Sequence, residues 1–172
     1  MSSPMRAFHV LAIVLALGLS ACSSDEPKIT AEMNQSASLT GNLVAALPAN
    51  PLQWKVITSE INKQDSTMST LYGNDLAVQY ARTNSQHDYP AGAVLSLVTW
   101  TQREDARWYG ASIPNQVKSV EFVTVAAAPD GHRTYSYESF AGAPLKQLSL
   151  EEGLQPNDRA AYLLAQRAAV LP

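Results

Sequence analysis

The sequence predicts an α+β domain. Three observations predict it: short alternating segments rich in β-branched residues and punctuated by turn residues, an Asp-Gly pair between two of them, and two stretches with apolar residues at helical spacing. No internal repeat and no second composition regime interrupts this part of the chain, so it reads as one domain.

The chain opens with something else. Arg6 is the single early cation, and the run Ala7 to Gly18 is apolar. That run has the length of a signal-peptide core and falls short of the roughly 20 residues a membrane-spanning helix needs. Leu19-Ser20-Ala21-Cys22 then matches the bacterial lipobox, in which small residues admit the signal peptidase and the thiol receives a diacylglycerol. A plain signal peptide with a stray cysteine is the blander alternative. Cys22 is the only cysteine among 172 residues. Residues 1–21 are therefore expected to be a lipoprotein signal peptide, with Cys22 as the lipidation site. Each buried methylene is worth roughly 0.8 kcal/mol and stable anchoring takes two chains, so a triacylated Cys22, palmitate included, would bind membrane lipid without spanning it. In proteobacteria an aspartate after the lipidated cysteine resembles an inner-membrane retention signal. Ser23 stands there instead, and the expected location is the cell envelope, at the outer membrane and facing the periplasm.

Residues 22–38 read as a lipidated flexible tether, because "SSDEPKITAEMNQSAS" has too little apolar surface to offset chain entropy. The folded domain is expected over 39–172, about 130 residues, enough to bury a core without disulfides. Without Arg6 the charge is about minus four and no Lys/Arg cluster appears, which argues against a nucleic-acid partner.

Within the domain, Trp54 to Thr58 alternates as a strand, and Ser66 to Leu71 supplies the next after the polar "NKQD" turn. Asn74 or Asp75 can cap a helix with Leu76, Ala77, Tyr80 and Ala81 three to four apart, laid on a sheet. "YPAGAVLSLVTW" is a turn followed by a strand with Ala93, Leu95 and Leu97 on one side and Val94, Val98 and Trp100 on the other, covered on both faces. Gln116 to Ala126 is β-rich, and Asp130-Gly131 favours a tight hairpin into Thr134 to Phe140. The last element, Asn157-Asp158 through Ala169, is an Ala/Leu-rich helix with a good cap.

The series "WKVITSEIN", "TLYGNDLAVQYA", "YPAGAVLSLVTW" and "RWYGASIPNQVKSVEFVTV" resembles the cytochrome P-460 family, in its Trp-Lys-Val start, Gly-Asn-Asp helix cap, Tyr-Pro-x-Gly turn and Val-Glu-Phe strand. The likeness runs from roughly Leu52 to Val125. It implies a mostly antiparallel sheet flanked by helices, a homodimer, a c-type haem, and activity on hydroxylamine or nitric oxide.

One feature of that family is missing. Its Cys-x-x-Cys-His near the C-terminus attaches the haem by two thioethers and supplies the axial imidazole. The corresponding stretch here, "EEGLQPNDRAAYLLAQRAAVLP", has neither cysteine nor histidine, and "GAVLSLVTW" has no lysine for the family's haem cross-link. No cofactor is therefore expected by covalent attachment, short of a motif beyond Pro172, while haem held without thioethers stays open. Its iron ligands would come from His87, His132, Tyr72, Tyr80, Tyr89, Tyr109, Tyr135, Tyr137 or Tyr162. Both histidines lie in polar loop sequence and read as exposed. Two histidines without cysteines or paired carboxylates also make a poor metal site.

Other constellations are weak. The chain has no Gly-x-Ser-x-Gly elbow, no His-Glu-x-x-His and no phosphate-binding glycine loop. The carboxylate pairs Glu104-Asp105 and Glu151-Glu152 read as solvated charges, and Trp100, Trp108, Tyr109 and Phe122 as core or as the lining of an apolar pocket. The catalytic residues, and whether the protein is an enzyme, stay open. Two functions are expected in this order: a periplasm-facing binding or accessory lipoprotein that has lost covalent haem, and a redox, nitric-oxide or hydroxylamine-handling protein with non-covalent haem.

Overall fold

The computed structural model describes residues 46–83, 88–106, 108–149 and 156–169. Among these, strands β1 (Lys55–Asn62), β2 (Thr67–Gly73), β3 (Val94–Glu104), β4 (Ser112–Ala127), β5 (Arg133–Ala141) and β6 (Lys146–Gln147) lie in chain order in one sheet. Every neighbouring pair is antiparallel. Helix α1 (Asp75–Thr83) follows β2, helix α2 (Pro156–Ala165) follows β6, and a 3-10 turn, Pro51–Gln53, leads into β1. The α+β class and the antiparallel sheet with flanking helices are thus as expected. Cys22, His87 and Glu151-Glu152 lie outside the described residues, as do the signal, the tether and the start of the domain at Leu39.

The central strand β3 is covered on both faces, as its sequence predicts. Leu95 and Leu97 pack with Ile57, Leu71, Val123 and Val125 beneath Ala77 and Val78 of α1 and Ala160 and Leu163 of α2. Val98 and Trp100 pack on the other side with Val120, Phe122 and Phe140, closed over by Leu47 and Leu145. Each fully buried leucine or phenylalanine contributes roughly 1.5–3 kcal/mol by leaving water. Phe122 meets Trp54 and Phe140 edge-on, at centroid distances of 6.2 and 6.1 Å.

Asn74 shows how the local sequence sets this packing. Its Oδ1 accepts from the N–H of Ala77 at 3.0 Å, capping α1, and from the N–H of Val94 at 3.3 Å, while its Nδ2 donates to the Gly92 carbonyl at 2.9 Å. One side chain joins the helix, the preceding turn and β3. Gly73 permits the close approach, since a Cβ there would lie 2.8 Å from Ile57 Cδ1 and 3.0 Å from Ala77 Cβ. With the helix seated by this cap, Ala77 and Val78 face the sheet and Leu76, expected on the buried stripe, is 40% exposed.

Several boundaries differ from the sequence reading. Trp54 caps the end of the 3-10 turn, its N–H donating to the Pro51 carbonyl, so β1 starts at Lys55 and runs on to Asn62. Ser66 takes a positive φ of 51° in the turn, and β2 begins after it. Asp130-Gly131 is not the centre of a two-residue turn. Ala128 and Gly131 close a turn around Pro129 and Asp130, with Gly131 N–H donating to Ala128 O at 3.0 Å and Gly131 at φ 84°. Asn157 and Asp158 lie inside the first turn of α2, behind Pro156, so neither caps it. That helix stops at Ala165. Beyond it the Ala169 N–H donates to the Ile57 carbonyl at 2.8 Å, where a register shift between Val56 and Thr58 breaks the β1–β2 ladder.

Candidate functional site

The face of the sheet under the helices is apolar at one end and polar at the other, and the change falls within one rung. Gly73, Leu95, Val123 and Tyr137 are aligned across β2 to β5, next come Leu71, Leu97, Glu121 and Ser139, and then Ser69, Thr99, Ser119 and Ala141. The polar end floors an open cleft of about 900 Å³, walled by Asp65, Lys118, Glu138, Gln147 and Ser149 and by the start of α2 at Pro156 and Arg159. Ser69 and Thr99 share a hydroxyl hydrogen bond of 3.0 Å across the floor.

Glu121 stands at the boundary, its side chain only 8% exposed. A buried carboxylate is costly unless paired and hydrogen-bonded. Here Arg159 supplies both from α2: its Nε donates to Oε2 at 2.9 Å and its Nη2 to Oε1 at 2.7 Å. Tyr137 donates its hydroxyl to the same Oε2 at 2.6 Å. The Arg159 guanidinium also lies over the ring of Tyr162, 4.8 Å from its centroid, and the Tyr162 hydroxyl donates to Glu60 Oε2 at 2.8 Å. Thus α2 is tied by polar bonds to β4 and β1 while Ala160 and Leu163 fill the core between them.

The electrostatics follow from this arrangement. Burial, then the hydrogen bond to Glu121, pushes the Tyr137 phenol up to about 12. The bonds to Glu121 raise Arg159 still further above its ordinary value. Burial and the bond to Glu60 raise Tyr162. All three side chains therefore hold their protons at neutral pH. The cluster is a compensated unit, with an anion neutralised by a fixed cation and a phenol that stays neutral.

Of the residues singled out in sequence, Tyr137 reaches this cleft. His132 and Tyr135 are exposed on the β4–β5 hairpin, and Tyr89 is buried against Tyr80, its phenol pushed up to about 12 by burial and then by Tyr80. Tyr72 lies on the opposite face, in a smaller apolar cleft of about 570 Å³ with Leu52, Ile61, Met68, Trp100 and Pro114. Trp100 and Phe122 are core residues, 5% and 2% exposed. Trp108 and Tyr109 are neither core nor pocket lining. They sit at the tip of the β3–β4 ribbon, Trp108 70% exposed and Tyr109 fully so, because the tip runs past the neighbouring strands and has nothing to pack on. Glu104 is exposed and Asp105 takes part in the tip's backbone bonding.

Sequence reasoning missed Glu121 and Arg159. A signal for the glutamate was present: it shares the inward phase of Val123 and Val125 in a strand otherwise apolar on that side, where an unpaired charge would not be tolerated. Nothing in the sequence near Arg159 marks it as the partner.

Haem, which the family resemblance implies, can be set against these residues. Among the described residues that line the cleft there is no cysteine, histidine or methionine, and its one tyrosine has its hydroxyl hydrogen committed to Glu121. A haem's proximal ligand belongs on a rigid element in an apolar pocket, whereas this floor is hydroxyls and a compensated ion pair. The residues lining this cleft do not fit the group. Among the described residues no group of three or more His, Cys, Asp or Glu could hold a metal ion, and no helix is long and apolar enough to cross a membrane.

A comparison with curated proteins found no match. The family Cytochrome P460 matches residues 48–152, from the 3-10 turn through all six described strands. The match points to a haem-related function for the family to which the strand pattern conforms. Since it spans more than half of the chain, the chain belongs to the cytochrome P460 family.

Proposed function

We propose that the protein is a cell-envelope lipoprotein, anchored through acylated Cys22, whose cytochrome P460 domain has given up covalent haem and serves as a periplasm-facing binding or accessory module. The observation that carries this reading is the Glu121–Arg159–Tyr137 cluster. It fills the buried end of the helix-covered cleft with groups that satisfy one another and offers no ligand for iron. The lipobox and the lone cysteine support the anchor, and the absence of a Cys-x-x-Cys-His among the 172 residues supports the loss of thioether attachment.

In this reading the working surface is the outer part of the cleft. Its hydroxyls on Thr67, Thr99, Ser119 and Ser139 and its amide on Gln147 surround a site whose buried charge is already neutralised. Such a surface suits a polar ligand bound by hydrogen bonds and gives little to an apolar macrocycle. The competing reading, a haem protein acting on nitric oxide or hydroxylamine, draws its support from family membership.

The two separate on one preparation: the full chain expressed with its own signal in a haem-replete bacterial host, extracted from the envelope, and read by intact mass and absorption spectrum. The proposal expects a mass increased by acyl chains at Cys22 and no Soret band. A Soret band with haem that pyridine haemochrome analysis identifies would replace it by the competing reading. An unacylated mass would remove the anchor.

A further inference from the structure

The β3–β4 ribbon ends in a feature that neither face of the sheet uses. β2 accompanies β3 only as far as the Thr67–Thr101 pair, and β5 accompanies β4 only from Ser119 onward. The Gln102 N–H still donates to Ser66 O at 2.9 Å, and beyond it β3 and β4 pair with each other alone, through Arg103–Ile113 and Glu104–Ser112. At about 3.3 Å per residue these two rungs carry the tip roughly 7 Å past that bond. There the chain closes on itself: the Asp105 N–H donates to Ala111 O at 2.9 Å, the Ala111 N–H to Trp108 O at 3.0 Å, and Gly110 takes a φ of 76°. The tip is therefore built from its own backbone bonds, and it holds the rings of Trp108 and Tyr109 out in water.

Two adjacent aromatic rings held away from any core have an apolar body and a polar edge, the combination that favours the headgroup region of a bilayer. Charge points to the same kind of surface. Arg103 and Arg107 are balanced in sequence by Glu104 and Asp105, and the chain carries a net charge of −3, so the tip is no attractor for an anionic surface. It suits a zwitterionic interface entered by its rings. The anchor and the tip are separate attachments, since about 24 residues separate Cys22 from the first described residue.

We propose that the Trp108–Tyr109 tip is a second, non-covalent membrane contact, seated in the headgroup region of the bilayer that carries the Cys22 anchor. The inference rests on the lipoprotein reading. Acyl chains hold the domain near the bilayer, and the tip fixes which way it faces.

The test uses the full acylated chain reconstituted into zwitterionic vesicles of phosphatidylethanolamine and phosphatidylcholine, with and without bromine on the acyl chains. Bromolipid is expected to quench the tryptophan emission, and Trp108→Ser is expected to remove most of that quenching, since buried Trp100 and half-buried Trp54 are held within the domain. High salt should leave the quenching unchanged, because ring insertion and not charge provides the contact. Equal emission in brominated and plain vesicles, or quenching that survives Trp108→Ser, would overturn the proposal. So would a Trp108 emission that follows protein density and ignores bromination, which would make the tip a protein-docking element. Intact mass of the same sample reads the anchor separately: an acylated, unquenched protein refutes the tip alone, and an unacylated protein quenched at lipid excess refutes the anchor alone.

Discussion

Arg159 of α2 grips Glu121 of β4 with two hydrogen bonds, 2.9 and 2.7 Å, across 38 positions of sequence, and Tyr137 adds a third at 2.6 Å. The pair converts a strand carboxylate that would be costly to bury into the link between helix and sheet.

Removing one partner should therefore cost more than removing both. Arg159→Met leaves Glu121 buried and unpaired and is expected to lower stability by about 2–4 kcal/mol in urea unfolding, whereas Arg159→Met combined with Glu121→Gln should recover at least half of that loss. Equal losses in the single and double variants would show that the ion pair is not what holds α2.

The alkaline limb of stability should report Tyr137 and Tyr89. Both phenols are pushed up to about 12 in the folded protein, by burial first in each case. An unfolded tyrosine titrates near 10, so above that value the unfolded chain releases protons that the folded one keeps. Their contribution is complete below pH 10 and is lost as pH rises from 10 toward 12. Melting temperatures measured from pH 8 to 11.5 should fall steeply above 10, and Tyr137→Phe should flatten that fall. An unaltered slope in the variant would contradict the assignment.

The elements that carry the sheet are legible in sequence where one residue type repeats in phase. Leu95 and Leu97 against Val98 and Trp100 announce a strand covered on both sides, and that is where β3 lies. Asn74 before an amphipathic run announces the start of α1. The site is less legible because its members come from β4, β5 and α2, and each looks locally like a solvent-facing polar residue. Only Glu121, by its inward phase, carries a local mark. Trp108 and Tyr109 mislead in the opposite sense: aromatic residues suggest a core, but pairing beyond the neighbouring strands leaves them exposed.

Gly131 should resist substitution for conformational reasons alone. It sits at φ 84°, and a Cβ added there would meet nothing within 4 Å. Gly131→Val is expected to destabilise the domain by roughly 1–2 kcal/mol through backbone strain, read as a lower melting temperature with an unchanged urea m-value. An unchanged melting temperature would argue against this turn.

Ser96 should show the reverse. Its hydroxyl is wholly buried on β3 without a hydrogen-bond partner, at a cost of about 1–3 kcal/mol in desolvation. Ser96→Ala removes that cost together with a single atom and is expected to be neutral or stabilising by up to about 1 kcal/mol in urea unfolding. A clear loss of stability would mean that the hydroxyl is satisfied in solution.

The Glu121–Arg159 pair closes the buried end of the cleft, and on the proposed reading the cleft does not take haem. The most direct measurement is a titration of the purified full chain with haemin, followed in the Soret region and repeated with Arg159→Met. The wild-type chain is expected to give no saturable shift. A one-to-one Soret shift that saturates, and that changes when Arg159 is replaced, would contradict it and return the protein to the haem chemistry of its family.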